Sequence, residues 1–543
     1  MADRAQTDMR TLLVGLDAGC RSVLEPLFEA GATPHLRSLF DQGASGPLES
    51  QIPPWTPSAW PSLYTGVNPG KHGVFGFLTF DGYDWDVVNA SHVREQTLWE
   101  ILDYHGHSSV VVNAPVTHPP REIDGAIVPG YTAPEDPACH PRGLLAEIRE
   151  KIGDYRVYAP REATGEREKT EWYRRLVRMR GEAFRYLSDR YDPDFGFVQF
   201  QQTDTVFHEF PGDDEKARAV YEAVDEQLGK ILRRCDPDTV VVASDHGMGE
   251  YDGHEFRVNE HLRERGLVET KRGGEGMPTW STIANNRLQD GETEAVETDP
   301  TPLQRGLATA AKFGLTSQRI YRALDAVGLA DAVAERVPTD AIRAATEQVD
   351  FPASAAYMRD RIELGVRVNL EGREPAGVVP ESQYEAVREE IIDALSGVET
   401  PDGRPVFERV ARREEIFSGP YVDEAPDVVT IPADFDEFLS TRVGDGEFGP
   451  PSEPYNHKRD GIVAVTGRNV DDRSDLSGAH LFDVAPTVLA TFGLPAGDRM
   501  DGVVLPAVEP VGRRAYPAFD GGAQVATDDG DVEARLADLG YLE

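Results

Sequence analysis

Four short apolar runs, separated by helical stretches, restrict the fold of this chain more than any other feature. They cover residues 11–16, 109–113, 195–200 and 239–244. Near-continuous Val, Leu and Phe over five or six residues marks strands buried on both faces. Amphipathic segments at about 96–104, 171–190 and 215–234 lie between them. Strands alternating with helices predict an α/β fold: a mostly parallel central sheet with helices on both faces. In such sheets ligands bind beyond the carboxyl ends of the strands. Asp17, Asp204, Asp245 and His246 all follow their strands at that end.

A second feature is Pro53-Pro54-Trp55-Thr56-Pro57-Ser58-Ala59-Trp60-Pro61. It reads as a proline turn opening a helix, with Thr56 as N-cap and Pro57 at the first helical position. Amide donors and the positive end of the helix dipole meet there, a natural seat for a phosphate. A capped turn without chemistry is the plain alternative. Pro61 removes one bond from the ladder, which predicts a kinked or irregular helix.

His208 stands four residues after Asp204, on the same face if that segment is helical. His457 lies just before another apolar run at 461–466. Carboxylates and imidazoles are ligands for zinc and for other divalent ions that accept N and O donors. Singly, each residue reads equally as a helix cap or a polar loop residue. Six of them at one edge of one sheet, with the Thr56 hydroxyl, suffice for two ions bridged by a nucleophile or substrate oxygen.

Taken in order, these pieces resemble the alkaline phosphatase superfamily, in its branch of type I phosphodiesterases and nucleotide pyrophosphatases. The matching segments are Leu13-Val14-Gly15-Leu16-Asp17, Thr56 with Thr65-Gly66, His72-Gly73, Asp204 with His208, Ser244-Asp245-His246-Gly247-Met248 and His457. Asp483 to Thr487 and Met500-Asp501-Gly502 resemble the closing helix and turn. The resemblance implies two divalent ions, Zn²⁺ with Mn²⁺ as the alternative. Asp17, Thr56, Asp245 and His246 would hold one, and Asp204, His208 and His457 the other. Thr56 would be the nucleophile, passing through a phospho-threonine on a small-molecule phosphodiester or pyrophosphate. A phosphomonoesterase, a phosphotransferase or mutase, and a non-catalytic phosphoester-binding relative are the alternatives. A sulfatase of the usual kind is disfavoured by the lack of a convertible cysteine at position 56.

One departure concerns the substrate. Nucleotide pyrophosphatases carry an asparagine shortly after the His-Gly step, and that spacing lands here on Phe77. Asn89 or Asn113 is the expected replacement, unless the substrate differs. His72 reads as structural. Phe75, Phe77, Phe80 and Trp85 read as a substrate wall or as a hydrophobic plug.

Residues 1–270 and 350–515 read as two parts of one catalytic domain. Residues 271–349, polar and then helical, read as an inserted cap, and 516–543 as a polar tail. Of the 543 residues, 95 are acidic and 55 basic, giving a net charge of −40, and only eight of the basic residues are lysines. With 40% hydrophobic residues, this is a folded protein with an acidic surface suited to a salt-adapted cytoplasm. Such a surface disfavours nucleic acid and anionic membranes as partners. No apolar run is long enough to span a bilayer and the amino-terminal residues lack a signal-peptide core, so a cytoplasmic location is expected. Cys20, Cys139 and Cys235 read as buried apolar residues.

Overall fold

The computed structural model of the chain describes residues 9–272, 347–444 and 446–519. Its central sheet has eight strands: β1 (Thr11–Leu16), β2 (Ala44–Glu49), β3 (Ser109–Val112), β4 (Gly125–Val128), β5 (Phe195–Phe200), β6 (Thr239–Ala243), β7 (Asp460–Gly467) and β8 (Ala479–His480). They lie in the order β8-β2-β7-β6-β1-β5-β3-β4. From β6 to β4 all neighbours are parallel. β7 alone runs against its neighbours, β6 and β2.

β1 lies inside the parallel run, between β6 and β5, with Leu13 opposite Phe197 on one side and Val241 on the other. Its side chains alternate between the two faces, as the two-residue period of a strand requires. Leu12, Val14 and Leu16 pack under the helices Glu166–Tyr191 and Asp214–Cys235. Leu13 faces the opposite layer, with the helices Thr56–Thr65, Leu98–Tyr104 and Val484–Thr491. Burial on both faces is why these strands carry no polar face in the sequence. The α/β sheet and its flanking helices are therefore as the alternation of runs predicts. All three cysteines are buried and none is in a disulfide.

Several local expectations change. Between β1 and β2 the chain forms two helices, Arg21–Glu29 and Pro34–Gln42. Gly31 breaks the first in a left-handed conformation (φ 65°), and Pro34 starts the second. β2 is written Ala-Ser-Gly-Pro-Leu-Glu and has no apolar run, yet it pairs along six residues with β7. The runs near 365–370 and 427–431 do not join the central sheet. Gly365–Val368 and Val428–Pro432 belong to a separate four-stranded sheet with Ala356–Tyr357 and Phe407–Arg412. Its apolar cluster includes Ile52, Trp55, Phe75, Phe77 and Tyr251, which come from loops of the first layer. Most of the expected cap, 273–346, and the tail beyond 519 lie outside the described residues. The strands that flank the cap, Thr270–Arg272 and Glu347–Val349, pair with each other.

The smaller sheet is organised around a buried carboxylate. Asp427 has no exposed side-chain surface and accepts bonds from both terminal nitrogens of Arg373, from Arg413 and from the Tyr384 hydroxyl at 2.6–2.8 Å. Burial alone would raise its pKa, but Arg373, Arg367 and Arg413 together hold it well below the usual carboxylate range. A depressed folded-state pKa stabilises the fold above the unfolded value of about 3.9 and is lost as pH falls below it. Asp427→Ala removes the acceptor that Arg373, Arg413 and Tyr384 share, leaving the arginines only their contacts with Glu374, Glu414 and Asp423, and is expected to cost about 3–5 kcal/mol at pH 7. Urea denaturation is the measurement, and the deficit should begin to shrink below about pH 4 and go on shrinking as pH falls toward the much lower folded-state pKa.

Candidate functional site

The Thr56 helix is not built as its sequence suggests. Trp55, in extended conformation, is the N-cap, and Thr56 is the first helical residue of Thr56–Thr65. Pro57 therefore falls at the second position, still within the turn where its missing N–H is harmless. The helix runs unbroken through Pro61, with all ten residues buried, and Gly66 closes it in a left-handed conformation (φ 73°). Tertiary packing on a wholly buried helix outweighs the one lost bond. With Trp55 at the cap, the Thr56 hydroxyl is released from capping. It lies 3.4 Å from Asp17 Oδ1, to which it donates, and 3.4 Å from His246 Nε2.

The far end of this helix is clamped by the closing turn. Gly66 carbonyl accepts from the Asp501 and Gly502 amides, and Asp501 Oδ2 accepts from the Asn68 backbone and side-chain nitrogens, both at 2.8 Å. His72 is held inside the same loop. Its Nδ1 accepts from the Val74 amide, so its Nε2 donates to Ser62 Oγ at 2.8 Å. Burial pushes its pKa down to about 3, and it stays a neutral structural residue.

The six expected ligands lie in one connected group, and Asp17 and His246 stand beside Thr56. Asp17 follows β1, Asp245 and His246 follow β6, and Asp204 and His208 lie one turn apart on the helix Gln202–Glu209 that follows β5. His457 arrives from far along the chain. Its strand, Tyr455–Lys458, pairs with Gly247–Glu250 so that His457 stands opposite Met248, beside the Asp245–His246 turn. Asp204 Oδ1 is 3.3 Å from His208 Nε2 and 3.4 Å from His457 Nε2. His246 Nε2 is 3.1 Å from Asp245 Oδ2 and 3.7 Å from Asp17 Oδ1. The His246 and His457 rings stack at 3.7 Å.

Two sets of three ligand atoms are close enough to share an ion: Asp204, His208 and His457, and Asp17, Asp204 and His246. Asp204 reaches both sets. Asp245 and Thr56 border the second through His246. The tautomers suit coordination. His246 Nδ1 bonds the Gly247 carbonyl at 3.0 Å and His457 Nδ1 bonds the Pro54 carbonyl at 3.1 Å. A carbonyl only accepts, so each Nδ1 carries the proton and each Nε2 lone pair faces the site.

The charges also call for a cation. Asp17, Asp204 and Asp245 are fully buried. The Asp17 pKa is raised well above normal by burial, then by the charges of Asp245 and Asp204. Asp204 is raised by burial but lowered further by His208 and His457, and ends well below normal. His246 is lowered by burial and raised further by Asp245, ending above normal, whereas burial and His246 bring His457 down to about 3. Three buried carboxylates beside imidazoles that turn lone pairs inward fit a pair of divalent cations.

The three residues offered for substrate contact do not join this group. Phe77 is buried in the second apolar cluster, edge-on to Tyr131. Asn89 accepts from the amide and hydroxyl of Ser91, capping the turn Ala90–His92. Asn113 gives its amide nitrogen to the carbonyl and the side-chain oxygen of Gln199. Two residues not singled out in the sequence touch the centre instead. Gln199 Nε2 and Trp60 Nε1 both donate to Asp17 Oδ2, at 2.6 and 3.0 Å. A polar residue inside the buried run Phe195–Phe200 is the signal for Gln199.

The type I phosphodiesterase / nucleotide pyrophosphatase family profile matches residues 11–319, more than half of the chain. No curated protein matches the chain. Among solved structures, phosphonoacetate hydrolase from Sinorhizobium meliloti 1021, in complex with phosphonoformate, is similar with a TM-score of 0.55 at 16% identity, over 89% of this chain and 96% of that one. The wild-type alkaline phosphatase PafA is similar with a TM-score of 0.52 at 13% identity, over 93% of this chain and 100% of that one. Both likenesses bear on the fold.

Proposed function

Since the chain belongs to the type I phosphodiesterase / nucleotide pyrophosphatase family and is a phosphoester hydrolase of a metal-dependent superfamily, we propose that Thr56 is its nucleophile and that it cleaves a phosphodiester or pyrophosphate bond. One observation carries the reading: a threonine hydroxyl, freed from helix capping, lies 3.4 Å from both Asp17 and His246 among converging acidic and imidazole ligands. Asp17, Thr56, Asp245 and His246 would hold one divalent ion, and Asp204, His208 and His457 the other, with Asp204 within reach of both. When bound there, Zn²⁺ or Mn²⁺ supplies a lowered hydroxyl pKa at Thr56 and charge stabilisation for the leaving oxygen.

Asp17, accepting from the Thr56 hydroxyl, orients it for attack. The Thr56 hydroxyl loses its proton to solvent, and Oγ1 forms a bond to phosphorus as the bond to the leaving oxygen breaks on the opposite side, giving a phospho-threonine and a leaving group that takes its proton from water. Water then cleaves that ester, returning the hydroxyl and releasing phosphate or a phosphomonoester. The helix that begins at Thr56 turns its positive end toward the charge that develops. Asn113 Nδ2 is engaged by Gln199 and Asn89 Oδ1 by Ser91, so neither group favours a nucleotide-specific contact. Among the described residues no helix is long and apolar enough to cross a membrane.

The test is hydrolysis of bis-p-nitrophenyl phosphate, p-nitrophenyl phosphate and p-nitrophenyl sulfate by the full chain in high salt. The expected result is diester turnover above monoester turnover, none with the sulfate, loss with EDTA and recovery with Zn²⁺ or Mn²⁺. Turnover indifferent to EDTA, or a preference for the sulfate, overturns the reading.

A further inference from the structure

Beneath Asp17 lies a chain of amides that the reaction above does not use. Gln199 is wholly buried in β5, next to β1. A buried primary amide costs a few kcal/mol unless its groups are bonded, so its presence in an apolar strand needs a reason. The bonds run in one direction. Asn113 Nδ2 donates to the Gln199 backbone carbonyl at 3.2 Å and to Gln199 Oε1 at 2.6 Å. The backbone carbonyl can only accept, which fixes the Asn113 atom as nitrogen. Gln199 Oε1 is then the acceptor, so Gln199 must present its NH₂ to Asp17 Oδ2, at 2.6 Å. The Trp60 indole N–H meets the same oxygen at 3.0 Å.

Gly15 makes the arrangement possible. A Cβ there would lie 2.6 Å from the Trp60 ring and 3.0 Å from Gln199 Cγ. Both donors therefore reach Asp17 through the space left by a missing side chain two residues before it, on the strand that leads into it. With Oδ2 taking two N–H donors, Oδ1 is the atom turned to Thr56 and His246, at 3.4 and 3.7 Å.

We propose that Asn113, Gln199 and Trp60 form a positioning relay that pins Asp17 Oδ2 and so reserves Oδ1 for the ion beside Thr56. The inference rests on the metal assignment proposed above. Asn113, offered from the sequence as a substrate residue, becomes the group that sets the polarity of the relay. The relay acts at one of the two ion sites, since Asp17 is not among Asp204, His208 and His457.

The test is Zn²⁺ binding to the apo full chain, measured by competition with a chromophoric chelator, for wild type, Gln199→Met and Asn113→Asp. Gln199→Met keeps the length of the side chain and removes the donor. Asn113→Asp removes the donors to Gln199 without touching Asp17. Both variants are expected to weaken one of two Zn²⁺ ions about 10–100-fold, the usual effect of losing an outer partner of a ligand, and to leave the other within threefold. Their kcat should fall with KM nearly unchanged. The double variant should be no weaker than the worse single one, because the two act through one bond to Asp17. Unchanged Zn²⁺ affinity in folded variants, or equal loss at both ions, overturns the relay. If Gln199→Met fails to fold, Asn113→Asp is judged by the same criteria. A wild type that binds no Zn²⁺ overturns the metal assignment itself, an outcome distinct from a failed relay.

Discussion

Thr56→Ala is expected to lower kcat/KM for a phosphodiester by about 10⁴-fold or more, as losing an attacking group does in other covalent mechanisms. The fold should be nearly indifferent. Trp55 supplies the cap, alanine suits the first helical turn, and the deleted atoms are few. The thermal midpoint should fall by no more than a few degrees, the effect of about 1 kcal/mol in a chain of this size. Zn²⁺ binding at Asp204, His208 and His457 should persist, since Thr56 is not one of that group. Thr56→Ser, which keeps the hydroxyl, should retain measurable turnover. The checks are steady-state kinetics with calorimetry on the same preparations. A kcat/KM within tenfold of wild type for Thr56→Ala removes Thr56 from the mechanism.

The second large effect belongs to Asp204. It is the one carboxylate that falls within both groups of candidate ligands. Asp204→Asn keeps the shape, removes the charge and replaces one oxygen with a nitrogen that has no lone pair to offer. Both ions should be weakened by more than about 100-fold, because loss of an outer-shell partner alone commonly costs 10–100-fold. His208→Ala, by contrast, should weaken only one. Competition titrations that count bound Zn²⁺ separate these results. Two ions retained at wild-type affinity by the Asp204 variant contradict a shared ligand. Activity should fall with the metal and should not return on adding Zn²⁺ at concentrations that saturate the wild type.

Much of the site is legible in the sequence because of how parallel sheets are built. A strand buried on both faces must be apolar, so its end is visible as the point where a polar residue appears. Asp17, Asp245 and His246 stand at such points, and Asp204 one turn beyond another. His457 is a different case. Only a strand pairing, His457 against Met248, puts it within 3.4 Å of Asp204, and nothing local to residue 457 encodes that register. The resemblance to a known family supplied it instead. β2 was invisible for the opposite reason: Gly46 and Pro47 disguise a strand that sits near the edge of the sheet. Hydrophobic runs also failed to show which sheet a strand joins. Residues 365–368 and 428–432 are buried like the central strands but pair in a separate antiparallel layer, because apolar patterning records burial and not the partner.

What the sequence determined by itself is the parallel sheet and the set of side chains at its carboxyl edge. Both follow from local chemistry: apolar runs must be buried, and polar residues that end them emerge at the strand termini. What only the tertiary structure decided is how each group is used. It moved the cap from Thr56 to Trp55 and so released the hydroxyl, turned Asn113 away from substrate toward Gln199, and placed Asp204 between two groups of ligands. These are matters of direction over a few ångströms between residues as far apart as 17 and 246. Direction is set by the packing of whole layers against one another, which no short stretch of sequence contains.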